Sequence, residues 1–168
     1  MVVSALRDDG HVVKDVFPPS PYQGLEIASQ LLAADGCSVF AKPFRTGETN
    51  DPGAAQLWSY MKLPWIFKSL HTLFLRFIRR DSLWSGLLSV WYPKTVAQNW
   101  ALVTEREAYR GRWLDWWMES EIDILITPPH ASPALPHRAM KDAVSSCGYT
   151  FLFNLVRKIH GSTKHIFS

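Results

Sequence analysis

The most apolar and aromatic part of the chain is residues 63–93, where hydrophobic side chains recur at three- and four-residue spacings. This spacing predicts a helix with one apolar side. The apolar side of that helix would consist of Ile66, Phe67, Leu70, Leu73, Phe74, Phe77 and Ile78. After Arg80, Asp81 and Ser82 the pattern restarts, with Leu83, Trp84, Leu87, Leu88 and Trp91. We therefore predict two short amphipathic helices joined by a turn, a helical hairpin.

A hairpin this apolar needs something to cover it, and a protein core, a partner protein and a lipid surface all remain open. Basic residues accompany the apolar positions and only Asp81 opposes them, which suits anionic lipid headgroups. Tryptophans stand toward the ends of the segment, where amphipathic rings favour a membrane boundary. Packing in a protein core would use the same residues.

Two other segments predict β-strands. Residues 11–17 are rich in β-branched side chains, and residues 122–127 contain a continuous apolar run typical of a buried parallel strand. Helical spacing recurs in residues 22–34, 54–62, 94–120 and 144–154, and residues 2–6 resemble the last turns of a helix. The predicted class is therefore α/β, with two strands and five or six helices including the hairpin. Two strands form a poor sheet alone, so exposed strand edges are expected.

The longest predicted helix, within residues 94–120, has a broad apolar face and a charged one. The apolar face would comprise Val96, Trp100, Val103, Ala108, Trp113, Leu114, Trp117 and Met118. Its charged residues read as an ordinary solvated surface.

Length and composition narrow the classes of protein. The 168 residues suffice for one domain with a core, and the net charge of +3, without a basic run or an RNA-binding signature, argues against nucleic acid as a partner. The chain has no signal-peptide pattern and no stretch near the ~18 apolar residues of a membrane span. Cys37 and Cys147 are far apart and read as free thiols. We predict a cytoplasmic location, with any membrane contact peripheral.

Candidate catalytic and metal-binding groups are few. Those that could act as nucleophile, base or ligand are Asp123, His130, His137, Ser145, Ser146 and Cys147. The two serines lack a surrounding glycine-rich turn, and the two histidines have no third ligand. We therefore predict no catalytic residue, no metal site and no cofactor in this chain.

Three motifs carry a resemblance to a known family. Residues 123–128 read DILITP, residues 133–136 read PALP, and residues 149–154 read YTFLFN. With the upstream ALRDDGHVV sequence of residues 5–13, their order and spacing resemble the amidase signature family. The resemblance is to its fungal acetamidase-like and fatty-acid-amide-hydrolase-like branches, and it covers residues 2–154.

The resemblance implies an amidase-type α/β/α fold and hydrolysis of carboxylic amides, with fatty acyl amides as one option. It also implies that the Ser–cis-Ser–Lys catalytic core lies N-terminal to the matched region, so that this chain is an inactive fragment. Residues 1–154 would form a partial amidase domain. Residues 155–168 depart from the family pattern and are predicted to be a divergent, disordered tail.

In the fatty-acid-amide-hydrolase-like branch, a two-helix cap docks on membranes and shelters an acyl-chain channel. The LPWIFK sequence of residues 63–68 is similar to the start of that cap. The resemblance thus implies a membrane- or channel-facing cap formed by Trp65, Phe67, Leu70, Phe74, Phe77, Trp84, Leu88 and Trp91.

The expected partners are an amide substrate in the full-length context and a membrane surface through residues 63–93, and a homodimer is left open. The alternative function is a non-catalytic module, derived from an amidase scaffold, that binds a membrane or a protein.

Overall fold

The computed structural model describes residues 2–44, 47, 50–128, 132–137, 139 and 148–156, with the side chain of Tyr149 excepted. This part of the chain contains seven α-helices: α1 (Val2–Asp8), α2 (Pro21–Leu32), α3 (Pro52–Lys62), α4 (Trp65–Phe77), α5 (Ser82–Ser89), α6 (Val96–Ser120) and α7 (Gly148–Leu155). The predicted tail beyond residue 156 and the predicted helical residues 144–147 lie outside the described residues.

The predicted α/β class is wrong, because the described part of the chain contains helices and no β-strand. Residues 11–17 and 122–127 lie in irregular segments, and their side chains are largely open to solvent, as for Val12 at 86% and Ile124 at 77% exposure. A β-branched sequence favours a strand only when it packs on a half-buried sheet and pairs with a neighbour. Neither condition is met for residues 11–17 and 122–127, so their preference for strand does not produce one.

Local capping signals explain where the main helices begin. Asp51 accepts a hydrogen bond from the Ala54 backbone N–H at 2.9 Å, and Pro52 opens α3 without needing a backbone donor. Thr95 and Gln98 form a reciprocal capping box at the start of α6, with bonds of 3.2 and 2.9 Å. These pairs satisfy N–H groups that the helix itself leaves free.

The main core lies where α2 packs against α6 and α7. Its buried residues are Ile27, Tyr109, Trp113, Leu152 and Val156. Gly24 permits the close approach, because a Cβ there would stand 2.7 Å from the Tyr109 hydroxyl oxygen and would overlap Leu152. The three helices are therefore held together by a small cluster of large side chains that can pack closely only because residue 24 is glycine.

A second, smaller core joins the hairpin to the body. Ala33, Cys37 and Met61 are buried there, and Leu57, Trp58 and Trp91 pack against them. The Lys94 backbone N–H donates to the Ala34 carbonyl at 2.8 Å, which fixes the chain where it leaves the hairpin. Met61 before the hairpin and Trp91 after it are thus both packed against the segment that follows α2, at Ala33 and Cys37.

Candidate functional site

Helices α4 and α5 form the predicted hairpin and pack against each other. In the turn between them Arg80 adopts a left-handed backbone with φ of 55°, and the Asp81 N–H donates to the Leu75 carbonyl at 3.0 Å. Asp81 then caps α5, its carboxylate accepting the Trp84 backbone N–H at 2.9 Å. The turn is therefore a defined structure that reverses the chain between two helices.

The apolar side of α4 faces outward. The exposed hairpin face, as we call it, contains nine large apolar side chains, each at least 47% exposed. They are Trp65, Ile66, Phe67, Leu70, Leu73, Phe74, Phe77, Ile78 and Leu83. Eight of the nine lie on α4 or at its C-cap, and Leu83 lies on α5. Single exposed apolar residues are normal in soluble proteins, whereas a grouped set is typical of interaction surfaces.

The opposite side of α4 packs inward, although it is the more polar one. Lys68, Thr72 and Leu75 are partly buried, and the Ser85 hydroxyl of α5 donates to the Thr72 carbonyl at 3.0 Å. The Lys68 ammonium donates to the Met61 carbonyl at the end of α3, at 3.0 Å. A hairpin packed in a protein core would bury the apolar side of α4, whereas here that side is exposed.

An aromatic cluster supports the hairpin from beneath. The Tyr60 ring contacts Trp91 at a centroid distance of 6.2 Å and His71 at 5.9 Å, and Trp84 meets Trp91 edge-on at 5.6 Å. The Lys68 ammonium lies 5.5 Å from the centre of the Tyr60 ring. These contacts fix the orientation of α4 and so determine which of its sides faces solvent.

Burial shifts the pKa values of two groups beneath α4, the Lys68 ammonium and the Cys37 thiol. Burial lowers the pKa of the Lys68 ammonium, and the neighbouring Cys37 opposes the shift. Burial raises the pKa of the Cys37 thiol, with the Asp35 carboxylate acting in the same direction. Lys68 therefore serves the hairpin as a hydrogen-bonded anchor.

The hairpin is basic around its outer end. Residues 63–93 contain Lys68, Arg76, Arg79 and Arg80 against a single acidic residue, Asp81. The three arginines are exposed, and the Arg76 guanidinium lies 5.9 Å from the centre of the Phe77 ring. Apolar and cationic groups therefore occupy neighbouring positions on one surface.

The eight predicted cap residues separate into two groups. Trp65, Phe67, Leu70, Phe74 and Phe77 lie on the exposed hairpin face. By contrast, Trp84 and Trp91 are partly buried, and Leu88 is buried at 4% exposure. The structure therefore brings the first five together at the surface, while the last three support them from within.

The list of cap residues omitted four members of the exposed hairpin face. Ile66, Leu73 and Ile78 share the helical spacing that predicted the apolar side of α4, so the sequence contained their signal. Leu83 lies beyond the turn, and its exposure depends on how α5 folds back. The apolar spacing of the second predicted helix included Leu83 but could not show that it would be exposed.

The other candidate groups form no cluster in the described residues. Asp123 and His137 are exposed, and no three His, Cys, Asp or Glu side chains among the described residues come close enough to hold a metal ion. His130, Ser145, Ser146 and Cys147 lie outside the described residues. Within the region that the structure describes, no helix has the length and hydrophobicity to cross a bilayer.

Comparison with known proteins identifies a relative that aligns with most of this chain. The chain matches no family model. It is 30% identical over 151 residues to fatty-acid amide hydrolase 1 of Sus scrofa, and the alignment covers 89% of this chain and 25% of that protein. The chain thus spans about a quarter of the length of this relative. The similarity indicates an amidase-like origin for the region that aligns.

Proposed function

We propose that this chain is the cap-bearing part of an amidase-type hydrolase that acts on carboxylic amides, including lipophilic ones. The exposed hairpin face carries the proposal, because it offers nine large apolar side chains beside three exposed arginines. The relative's name specifies a fatty-acid amide, and amides of that class partition into membranes. An enzyme that takes such a substrate benefits from a surface that lies in the lipid boundary.

The free energies expected from burial and from charge attraction are sufficient for reversible docking of the hairpin on a lipid surface. Fully burying one large apolar side chain contributes about 1.5–3 kcal/mol, and the side chains here would be partly immersed. Each Lys or Arg close to an anionic surface adds about 1 kcal/mol. Binding must offset roughly 4–15 kcal/mol of lost freedom. The summed contribution of nine apolar and three basic side chains exceeds the lower part of that range, which favours peripheral association of an amphipathic helix.

Vesicle flotation tests the docking surface. The purified chain is expected to float with vesicles that contain phosphatidylserine, and Phe77→Glu is expected to abolish flotation because it places a carboxylate in the lipid-facing row. Trp100→Glu is the matched control, since Trp100 on α6 has the same 66% exposure as Phe77 but lies outside the hairpin. Equal loss in both variants, with circular dichroism unchanged, would contradict a specific role for the hairpin.

In this proposal the nucleophile and its base are supplied from outside the chain. The purified 168-residue chain is therefore expected not to hydrolyse a long-chain fatty acyl amide. Hydrolysis that is lost on Ser145→Ala or Ser146→Ala would overturn that part of the proposal.

A second candidate function, a non-catalytic membrane- or protein-binding module, rests on the same exposed face. The two functions differ in what the isolated chain should do. A chain that unfolds cooperatively in urea and also binds vesicles favours the module, whereas a chain that is insoluble or lacks a cooperative transition favours a part of a larger hydrolase.

A further inference from the structure

The turn of the hairpin carries a serine hydroxyl, that of Ser82, which the proposed lipid contact does not use. Residues 79–83 read Arg-Arg-Asp-Ser-Leu, and all five are exposed. We propose that Ser82 is a phosphorylation site for a serine/threonine kinase that selects arginines two and three residues before the acceptor. We further infer that phosphorylation releases the hairpin from anionic lipid, a consequence that rests on the proposed function.

The arrangement of charges fits that class of kinase. Kinases discriminate among substrates by charge pattern, and a kinase groove lined with carboxylates pairs with arginines through charge-assisted hydrogen bonds. Arg79 and Arg80 provide two such groups on one side of Ser82. Leu83 follows directly and is 63% exposed, so it is available for an apolar pocket beside the acceptor.

The local fold makes Ser82 reachable. Arg79, Arg80 and Asp81 lie outside regular helix, and Ser82 is the first residue of α5. Helix α5 has eight residues, a length at which a helix depends on its surroundings for stability. Its first turn is held by the bond from the Trp84 N–H to the Asp81 carboxylate. Extending residues 79–83 would break this bond, the bond from the Ser85 N–H to the Asp81 carbonyl and the exposed bond from the Tyr22 hydroxyl to the Leu83 carbonyl.

The reaction is an ordinary phosphoryl transfer from ATP. The Ser82 Oγ forms a bond to the γ-phosphorus while the bond from that phosphorus to the β–γ bridging oxygen breaks. ADP leaves, and the hydroxyl proton passes to the catalytic aspartate of the kinase. The co-reactants are therefore Mg·ATP and the kinase, and the chain itself supplies only the acceptor oxygen.

The modification would alter the hairpin surface while preserving its fold. A phosphate at the first position of α5 lies at the positive end of the helix and near two arginines, both of which favour it. It adds a charge of about −1.5 to −2 to a segment whose four basic residues and one aspartate sum to +3. In the sequence Ser82 lies between Ile78 and Leu83, two members of the exposed hairpin face. Lipid docking would then require a doubly charged group to enter the membrane boundary.

Phosphate incorporation tests the site independently of lipid. The full chain is incubated with Mg·ATP and the catalytic subunit of cyclic-AMP-dependent protein kinase, and modified residues are located by mass spectrometry. One phosphate is expected on Ser82, none at that position in Ser82→Ala, and unchanged labelling in Ser89→Ala, since Ser89 is an exposed serine of α5 without preceding arginines. The double variant Arg79→Gln/Arg80→Gln should lower kcat/KM at least about tenfold.

Flotation of the phosphorylated chain tests the consequence. Affinity for vesicles containing phosphatidylserine is expected to fall roughly 10- to 30-fold, and affinity for phosphatidylcholine vesicles less, because the lost attraction is largely electrostatic. Absence of phosphate on Ser82, or labelling that ignores the arginines, overturns the site whatever the lipid result. Equal flotation before and after phosphorylation overturns the release. Failure of the unmodified chain to float contradicts the proposed lipid function and leaves the site to be decided by incorporation.

Discussion

Trp113 donates its indole N–H to the hydroxyl of Tyr109, one turn earlier on α6, at 3.0 Å. The Tyr109 hydroxyl in turn donates to the Pro19 carbonyl at 2.9 Å, so one buried oxygen joins α6 to the segment that precedes α2. Both side chains are almost fully buried. The hydroxyl therefore satisfies both the buried Trp113 N–H and the partly buried Pro19 carbonyl.

Tyr109→Phe should destabilise the fold. The substitution keeps the ring but leaves the Trp113 N–H and the Pro19 carbonyl without their partner, at a cost of about 1–3 kcal/mol in the free energy of unfolding. Urea denaturation followed by tryptophan fluorescence measures the change. Tyr92→Phe is the control, because Tyr92 is exposed, and it should shift the midpoint little. Equal effects of the two substitutions would mean that the Tyr109 hydroxyl has no special role.

Two glycine-to-alanine substitutions should act in opposite directions. At Gly24 an added Cβ would meet the rigid Tyr109 ring at 2.8 Å, so Gly24→Ala should destabilise by roughly 1–3 kcal/mol. At Gly111, within α6, an added Cβ meets nothing within 4 Å. Gly111→Ala should therefore stabilise by about 0.5–1 kcal/mol, since alanine is the better helix former. Thermal melts of the two variants against the parent chain check both signs.

Asp35 should contribute a small part of the acid sensitivity. The pKa of its carboxyl is lowered, mainly by the hydrogen bond from the Val39 backbone N–H at 2.9 Å, with a further bond from Ser38. A lowered pKa in the folded state gives stability that is present above the unfolded value and lost as pH falls through the folded value.

Asp35→Asn should therefore be less stable than the parent chain at neutral pH, by less than about 1 kcal/mol because the carboxylate is exposed. The difference should vanish in acid below the folded pKa of Asp35. Urea midpoints measured across the acid range provide the comparison. If the two chains still differ by the same urea midpoint in strong acid, the effect of the substitution comes from packing and not from the charge of Asp35.

Cys37 should resist alkylation in the folded chain. It is buried in the second core, and burial raises the pKa of its thiol, so the reactive thiolate is scarce at neutral pH. Iodoacetamide labelling, located by peptide mass spectrometry, should be slow in buffer and fast in urea. Rapid labelling in buffer would show that the segment between α2 and α3 opens readily.

The helices could be predicted well from sequence because their signals are local. Asp51-Pro52 and the Thr95–Gln98 pair mark helix starts by the hydrogen bonds they make, and these bonds need only neighbouring residues. The restart of the apolar pattern after Arg80, Asp81 and Ser82 likewise identified the hairpin turn.

The two predicted strands are wrong, and the packing could not be predicted from local signals. The β-branched residues of 11–17 and the apolar run of 122–127 express a preference for strand that is realised only beside a neighbouring strand, and the presence of that neighbour is not a local property of the sequence. In α6 the spacing assigned Val96, Trp100 and Met118 to the buried side, and all three are exposed. The central core residue Tyr109 was absent from that predicted face, because its burial depends on α2 and Pro19.

The residues of the apolar side of α4 could be predicted from the sequence, but whether that side faces solvent or the rest of the protein could not. Spacing on α4 separates apolar from polar side chains but does not say which side the rest of the protein will occupy. Here the contacts of Lys68 and Thr72 with α3 and α5 turn the polar side inward. Such an arrangement is unfavourable for an isolated domain, and it becomes reasonable when the apolar side has another partner.

Gly86 gives the hairpin a further property. The Tyr22 hydroxyl of α2 donates to the Leu83 carbonyl at 3.3 Å, and it lies so close to Gly86 that any Cβ there would overlap it. The hydrogen atom of one glycine thus sets how closely α5 approaches α2, and with it the tilt of α4 relative to the body. The angle at which this protein would meet a flat surface therefore depends on Tyr22 and Gly86 as well as on the aromatic cluster beneath α4, and these two residues lie outside the set that would touch the surface.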